Sequence, residues 1–475
     1  MKSSPKSSLA GLSVLATVLI LGATPALAQN ATAMNGPLQA QDAQQPVTPD
    51  VSVPLPASVD PGPETMGGTG TSATAGTGTD ATLDLLPDPG ADRSLLITQR
   101  THPEYIAQGV RMGSFRFLPD VTLSELYNDN IYATHKDAKS DWINVIEPRL
   151  ALRSDWHRHA LNFLAADVEG LYDHKTSENY SDYLVQSDGR IDVSRNTKLA
   201  GLASYSQNHE ERGDPNDQAQ QTDPVVFKVQ TLQAEASHQI NRVKFDVIYT
   251  NQDFRYDNGQ TKQGQLVDDS IRNRVDNEVT GRVSYELTPT EDVYVQSAYN
   301  NRDYNARSNR DSDGYNVFAG LRADVTGKLF GDIYAGYMAQ NYDSSAYKDY
   351  SGVGFGLNGY WNPTTIDTLT LNLGRDVEET IVPGASNYIE TRSRLNWDHE
   401  LLRNVLLNAE AGYSRDSFEG IGRDDDVYLA GVGAKYLINS HFNLFANYDY
   451  IDRVSNISVD SYQQNRFLVG VKAAL

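Results

Sequence analysis

Apolar and polar residues alternate with a period of two along residues 462–475. One row of alternate positions is apolar and consists of Phe467, Val469, Val471 and Ala473. The row between them is mostly small or charged and consists of Arg466, Leu468, Gly470, Lys472 and Ala474. This period belongs to a β-strand that has one face in an apolar medium and the other in a polar one. We therefore predict that residues 462–475 form the closing strand of a transmembrane β-barrel.

Short segments with the same alternation follow one another from about residue 100 to the end of the sequence. In residues 367–378, Leu369, Leu371 and Leu373 alternate with Thr368, Thr370 and Asn372. Residues 243–250, 404–414 and 441–450 follow the same pattern. Each segment is close to the length of about 9 to 11 residues that a transmembrane β-strand needs.

The connections between these segments are alternately short and long. Eight tight connections are predicted at residues 154–159, 195–198, 239–242, 287–292, 325–328, 362–366, 401–404 and 438–441. They recur roughly every 37 to 48 residues, which is the spacing of a two-strand repeat. Longer polar connections are predicted at residues 210–224, 257–271, 305–313 and 420–426. Short turns on the periplasmic side and long loops outside are typical of outer-membrane barrels.

The predicted fold class is all-β, a transmembrane up-and-down antiparallel β-barrel with a disordered N-terminal leader. Eight tight turns imply about nine hairpins and therefore about 18 strands, with 16 as the alternative number. Both termini then lie on the short-turn side, and residues 462–475 pair with a first strand near residues 115–127. A soluble β-sandwich or propeller is the alternative fold. It needs an apolar inner core, whereas the second face of most segments is polar or glycine and fits a wet lumen.

Tyrosines recur near the loop ends of the predicted strands, where Asn, Asp or Arg soon follows. Trp and Tyr are enriched where a membrane protein meets the headgroup region. We predict an aromatic girdle made of Tyr127, Tyr205, Tyr249, Tyr299, Tyr337, Tyr413 and Tyr448.

The first hundred residues have a different composition from the rest. Residues 1–28 are predicted to be a secretory signal peptide, with Lys2 and Lys6, an apolar run and a cleavage site after Ala28. Residues 29–99 are rich in Ala, Thr, Gly and Pro and lack aromatic residues. Such a segment has too little to bury, so we predict a disordered periplasmic leader. The barrel is assigned to residues 100–475.

Composition limits the partners of the chain more than it limits the fold. The 475 residues carry a net charge of -22, which argues against nucleic acid as a partner. The mean hydropathy of -0.50 suggests a soluble protein, but alternating barrel strands also average out as polar. Cysteine is absent, which excludes disulfides and thiolate metal sites. We expect no cofactor and no metal.

Three polar strings were considered as chemical sites. Asn128, Asp129 and Asn130 offer oxygen ligands, but an Asx turn explains them better than a calcium loop, because the spaced acids and glycine of an EF-hand are missing. The string WHRH at residues 156–159 lies in a predicted turn, and no GxSxG, HExxH or P-loop motif is present. Nine acidic residues lie in predicted long loops: Glu210, Glu211, Asp214, Asp217, Asp268, Asp269, Asp424, Asp425 and Asp426. We interpret them as solvated loop tips. The alternative is that they bind divalent cations that bridge to lipid headgroups.

The segment that opens the predicted barrel resembles a known family. Its residues are GVRMGSF at 109–115, Pro119, YNDNIY at 127–132, SDW at 140–142, Pro148 and SDW at 154–156. They are similar to the start of the outer-membrane barrels called putative β-barrel porin 2. Members of that family are associated with exopolysaccharide biosynthesis, so the resemblance implies a role in polymer export. It covers roughly residues 100–192.

The polar faces supply candidate pore-lining residues of both signs: Lys244, Asp246, Arg282, Asp332, Arg394, Glu410, Lys435, Asp449, Arg466 and Lys472. We expect an outer-membrane channel for exopolysaccharide, saccharides or small solutes, and not an enzyme. The alternatives are a plugged barrel that acts as an anchor or adhesin, and a barrel-type hydrolase. Expected partners are outer-membrane lipid, the barrel insertion machinery, and polysaccharide with its synthesis and export proteins.

Overall fold

The computed structural model describes residues 96–97, 102–216, 221–305 and 309–475. These residues form one closed antiparallel barrel, which confirms the predicted number of 18 strands. The signal peptide and most of the leader lie outside the described residues. The strands β1 to β18, in order, are Phe115–Asn128, Asp141–Ser154, Ala160–Tyr172, Tyr180–Ser194, Thr197–His209, Val226–Ile240, Val243–Tyr256, Arg274–Thr288, Glu291–Tyr304, Ser312–Asp324, Leu329–Tyr342, Tyr350–Trp361, Asp367–Glu379, Asn387–Leu402, Val405–Phe418, Asp424–Leu437, Phe442–Ser455 and Tyr462–Ala474.

Every strand pairs with the next one along the chain, and the last strand returns to the first. In β18, Val471 lies opposite Leu123 of β1, and Phe467 lies opposite Tyr127. The other edge of β18 pairs with β17. Residues 462–475 therefore close the barrel as predicted, and closure pairs both edges of β18. Between β12 and β13 the pairing covers only Phe355–Trp361 and Leu369–Arg375.

All eight predicted tight connections are turns at one end of the barrel, called here the short-turn end. The turn from β6 to β7 contains only Asn241 and Arg242, with Asn241 at a φ of 52°. Left-handed backbone of this kind suits two-residue hairpins and is tolerated by Asn. The other end, called here the long-loop end, carries the long connections. They include residues 210–225 between β5 and β6 and residues 380–386 between β13 and β14.

Several short elements accompany the barrel. A three-residue strand, Val110–Met112, forms a hairpin with the start of β1. Gly259–Gln260 and Leu266–Val267 pair within the connection between β7 and β8. Single 3-10 turns are found at Pro103–Tyr105, Thr176–Glu178, Asp269–Arg272 and Ser458–Asp460. No helix in the described part of the chain is long and apolar enough to cross a membrane.

The two faces of the strands differ as the alternation predicts. Apolar side chains on one face, such as Val247, Val295 and Val353, are more than half exposed outside the barrel. The opposite face points into the lumen because successive strand residues point to opposite sides of the sheet. One prediction is wrong in position: Asp424, Asp425 and Asp426 were assigned to a loop, but they are the first residues of β16. The loop before them is shorter because Phe418 already bonds back to Arg423.

Candidate functional site

The ten candidate pore-lining residues all lie on the inner face of the barrel. Glu410, Asp449 and Arg466 belong to one row of directly opposed residues that also includes Gly431. Asp332 and Arg394 belong to a second row, through Asn358 and Asn372. Directly opposed residues share a face of the sheet. That they line a conducting path is still a prediction.

Five of these ten residues form ion pairs on the wall itself. Lys244 Nζ lies 2.9 Å from Asp246 Oδ1, and Lys472 Nζ lies 2.9 Å from Asp120 Oδ1. Arg394 and Glu410 approach to 4.0 Å. The remaining pore-lining candidates also contact polar groups or stay exposed. Arg282 donates a hydrogen bond to Gln296, and Asp332 accepts one from Tyr294. Arg466 is ion-paired with Glu211 and lies opposite Asp449. Lys435 is exposed. Because both signs are present and half of the residues are paired on the wall, the lining predicts no simple preference for cations or anions.

Sequence reasoning missed several partners in this network. Asp120 and Arg149 face each other across β1 and β2, and Asp120 also holds Lys472. Tyr294 and Gln296 are inward residues of β9. Carrying the period-two assignment through β1, β2 and β9 would have found them, because all four occupy alternate positions of a polar face.

One sector of the inner wall alternates aromatic residues with glycines. A single row of opposed residues runs around the barrel from β9 to β14: Tyr294, Gly320, Tyr334, Gly356, Gly374 and Arg392. A Cβ atom on Gly320 would lie 2.2 Å from Tyr294 Cζ, and one on Gly356 would lie 2.3 Å from Tyr334 Cζ. The two rings therefore lie against the backbone of the neighbouring strand. Polar groups surround them, since the Tyr294 hydroxyl donates to Asp332 at 2.7 Å.

The lumen is not wet along its whole length, which corrects the expectation of a polar inner face. Near the long-loop end, inward apolar side chains form buried clusters. One contains Leu126, Ile143, Val145, Val168 and Leu468. Another contains the inward Phe318, Met338 and Tyr350 together with Ile389, which is buried although it belongs to the opposite row of β14. The alternation does not show these clusters because a buried apolar residue on the polar row is averaged among many polar ones.

The connection between β5 and β6 crosses the lumen. It begins beside its own strands, where Glu210 is ion-paired with Arg272. It then reaches β17 and β18, which lie six and five strands away around the barrel: Arg453 donates to the Gly213 carbonyl, and Arg466 Nη2 lies 3.3 Å from Glu211 Oε2.

The same connection meets the one between β13 and β14, which comes from almost the opposite side of the barrel. Asn216 accepts at Oδ1 from the Thr380 hydroxyl and from the Ile381 N–H, both at 2.9 Å. Tyr342 and Arg310 donate to the carbonyl of Ser386 in the second connection. Both connections are therefore attached to residues far from their own strands.

Three of the acidic loop residues, Glu210, Asp269 and Asp425, are buried, which corrects both interpretations offered from the sequence for these three. Asp424 and Asp426 are ion-paired with Arg415 but stay partly exposed. Glu210 is paired with Arg272, and Asp425 with Arg423. Asp269 is fully buried and accepts a hydrogen bond from Gln221. A carboxylate in this position can neither repel at a solvated loop tip nor bridge to lipid. Asp217 lies outside the described residues.

Two carboxyls of the β5–β6 connection have shifted pKa values. Burial alone would raise the pKa of Glu211, but the hydrogen bond from His209 and the charge of Arg466 lower it to about 2. Burial raises the pKa of Asp214, and the N–H of Asn216 and the nearby arginines only partly oppose that effect. The net pKa shifts of the two groups therefore have opposite directions, although burial acts on both in the same direction.

The segment before β1 crosses the short-turn end. The N–H of Ile97 donates to Thr368 Oγ1 of β13 at 3.0 Å, and Ile97 is buried. Glu104 lies 3.2 Å from Arg403 in the turn after β14. Farther along, the N–H of Gly109 donates to the Leu475 carbonyl, four strands from β14.

The seven girdle candidates lie on the outer face. Tyr127 is next to the long-loop end of its strand, whereas Tyr249 and Tyr448 are at mid-strand. Four donate a hydroxyl hydrogen bond to a neighbouring strand: Tyr249 to Asn277, Tyr299 to Asp313, Tyr413 to Asp426 and Tyr448 to Asn465. Three lie at a tilt against other aromatic rings: Tyr127 against Trp142, Tyr205 against Tyr183 and Tyr337 against Tyr315. An apolar ring with a bonded polar tip suits a membrane interface. Their contact with lipid is still a prediction.

The polar strings at residues 128–130 and 156–159 form turns. Asn128 Oδ1 accepts from the N–H of Asn130 at 2.9 Å, which is an Asx turn. Arg158 and His159 lie between β2 and β3 and bond to Asp192 on β4. Among the described residues, no group of three or more His, Asp and Glu side chains could hold a metal ion.

A closed 18-stranded barrel with an apolar outer face and a polar, partly filled lumen defines an outer-membrane protein of the porin type. The family model described as putative β-barrel porin 2 matches residues 102–475. The chain belongs to this family, and the protein is an outer-membrane barrel.

Two of the solved structures that match the chain have low identity and low TM-scores. OccK3 (OpdO) of Pseudomonas aeruginosa is 14% identical, with a TM-score of 0.40 over 76% of this chain and 95% of that chain. A BenF-like porin from Pseudomonas fluorescens Pf-5 is 10% identical, with a TM-score of 0.43 over 76% of this chain and 99% of that one. The assignment rests on the family match alone. No curated protein matches the chain.

Proposed function

We propose that this protein is a passage for saccharides across the outer membrane, and that its specific role is the export of an exopolysaccharide. The observation that carries the proposal is the wall between β9 and β14. There, Tyr334 lies flat against Gly356, with Asp332, Asn358 and Arg394 on the same inner face. Saccharides offer an apolar ring face and many hydroxyls, which aromatic rings and planar polar side chains can contact together.

The polar groups of this sector suit repeated weak contacts. Asn372 Nδ2 donates to Asn358 Oδ1 at 2.8 Å, which leaves the second amide hydrogens and carbonyl lone pairs for hydroxyl groups. Because Arg392 is ion-paired with Asp376 and Arg394 lies 4.0 Å from Glu410, a neutral or weakly charged chain should meet no strong electrostatic barrier here. The family resemblance to exopolysaccharide-associated barrels supports the polymeric version of the proposal.

The first experiment measures ion current through the purified full chain in planar bilayers and its block by soluble oligosaccharides. Replacing Tyr334 by Ala should raise the oligosaccharide concentration needed for half-block roughly threefold to tenfold, since an aromatic contact is lost. Tyr337→Ala is the matched control, because Tyr337 lies on the outer face of the same strand. Equal effects of the two substitutions would contradict a saccharide path along this wall.

The second experiment tests the export role. Deleting the gene should abolish secretion of the polysaccharide, and a plasmid copy should restore it. Normal secretion in the deletion strain would overturn the role.

The crossing connections favour one alternative, a plugged barrel that serves as an anchor or adhesin. No current even after removal of residues 29–95 would support this alternative over the passage.

A further inference from the structure

Two connections from opposite sides of the barrel meet above the lumen at its long-loop end. The first joins β5 to β6 and is described at residues 210–216 and 221–225. The second, residues 380–386, joins β13 to β14. The two hairpins are eight strands apart in a ring of 18, which is nearly opposite. A contact between them must therefore span the opening.

We propose that these two connections form a latch that holds the passage closed at its extracellular end, and that the passage opens when the latch separates. The latch is defined here as Asn216 together with the backbone of residues 379–381. This inference rests on the proposed function, because a latch regulates only a barrel that conducts.

Asn216 makes the contact across the opening. Its Oδ1 accepts from the Thr380 hydroxyl and from the Ile381 N–H, and its Nδ2 donates to the Glu379 carbonyl at 3.5 Å. Asn216 is buried, with 6% of its surface exposed. One amide side chain thus satisfies both a donor and an acceptor of the opposite backbone, which an apolar residue of similar size could not do.

The far side of the first connection is held by β17 and β18. Arg466 is ion-paired with Glu211, and Arg453 donates to the Gly213 carbonyl. Gly213 has a φ of +93°, and a Cβ atom there would lie 2.7 Å from Ala133 Cβ and 2.9 Å from the Tyr462 hydroxyl oxygen. The connection can approach the wall this closely only because glycine stands at this position.

The nature of these contacts explains why they can separate while the barrel stays intact. The wall is held by ladders of backbone hydrogen bonds between neighbouring strands, and the ladder between β12 and β13 is short, because only Phe355–Trp361 pair with Leu369–Arg375. The side-chain contacts of the latch form no part of these ladders. The latch contacts are side-chain hydrogen bonds and ion pairs, each of which is worth little in net terms because water replaces it on opening. Closure by a few such bonds is reversible.

The test exploits the absence of cysteine from the chain. The double variant Asn216→Cys/Thr380→Cys places two thiols where the side chains now touch. Under oxidising conditions, we expect its current to fall at least tenfold below that of the same sample after reduction. The control is Thr197→Cys/His238→Cys, which joins adjacent residues of β5 and β6 near the short-turn end, and its current should not depend on the redox state. A crosslinked latch that conducts as well as the reduced one would overturn the proposal.

A second measurement does not depend on conduction. Asn216→Ala should release the connection and raise the rate of tryptic cleavage after Arg212, which is buried against Glu178 in the closed state. Unchanged cleavage would contradict the latch. Raised cleavage with no current from any variant would show that the connection docks as described but that the proposed passage function is wrong.

Discussion

At the scale of single residues, glycines on the inner wall determine where the neighbouring aromatic rings can lie. Tyr294 and Tyr334 occupy space that Gly320 and Gly356 leave free, so the aromatic rings lie along the wall and do not project across the lumen. The position of Tyr294 also lets its hydroxyl reach Asp332. Glycine normally weakens a strand, and here it makes room for a ring on the neighbouring strand.

Gly320→Ala should lower the free energy of unfolding by about 1–3 kcal/mol, because the new methyl group overlaps the Tyr294 ring. Urea unfolding in detergent micelles, followed by tryptophan fluorescence, measures the change. Gly281→Ala is the control, since no heavy atom lies within 4 Å of its added Cβ. If both substitutions had the same effect, the space at Gly320 would not be a packing requirement.

The ion pair of Glu211 predicts a pH dependence. The pKa of Glu211 is lowered from 4.5 to about 2, so its contribution to docking is complete above pH 4.5 and is lost as the pH falls towards 2. Glu211 should therefore not change the frequency of channel openings between pH 8 and about 5. Its protonation should raise that frequency below pH 4.5.

Two substitutions provide the controls for this pH effect. Glu211→Gln should open more often at neutral pH, by roughly threefold to tenfold, and should lose the rise in acid. Asp214→Asn should act in the opposite direction, because burial raises the pKa of Asp214 and its charge disfavours the docked state at neutral pH. The same response from both variants would contradict these assignments.

At the scale of elements, β18 is the strand on which closure depends. It pairs on one side with β17 and on the other with β1, so removing it exposes two strand edges. Unpaired backbone groups are very costly in a bilayer, where water cannot satisfy them. The sequence identified this strand from its own residues, because the apolar and polar rows are complete within residues 462–475.

Deleting residues 462–475 should abolish assembly of the barrel in the outer membrane. The measurement is the amount of folded protein in outer-membrane fractions, detected by heat-modifiable mobility. A deletion of residues 262–264, in the exposed hairpin between β7 and β8, should assemble normally. Normal assembly of the first variant would show that β18 is not needed for closure.

At the scale of the whole molecule, both ends of the lumen are crossed by chain segments. The connection between β5 and β6 crosses the long-loop end, and the segment that contains Ile97 crosses the short-turn end. The closed ladder of 18 strands is independent of these segments. Stability and permeability are therefore properties of different parts of the protein.

The closed ladder predicts a folded state that resists detergent. Unheated protein in sodium dodecyl sulfate should migrate differently from boiled protein, because the barrel keeps its compact shape until heat breaks the ladder. Reducing agent should have no influence, since the chain contains no cysteine. A mobility that never changes on boiling would contradict the barrel.

The local sequence by itself determined the strands, their number, their two faces and the ends at which short and long connections lie. These features follow from a period of two and from turn residues, which act over a few neighbouring positions. All ten candidate lining residues lie on the inner face for the same reason.

Only the tertiary structure decided what fills the lumen. Asn216 and Thr380 are 164 positions apart, and Ile97 and Thr368 are 271 positions apart. Their contacts depend on the circumference of the closed barrel and on the direction in which a connection folds. Neither quantity can be determined from a local pattern of apolar and polar residues. A barrel with an open lumen and one with a crossed lumen would therefore show the same alternation in their strands.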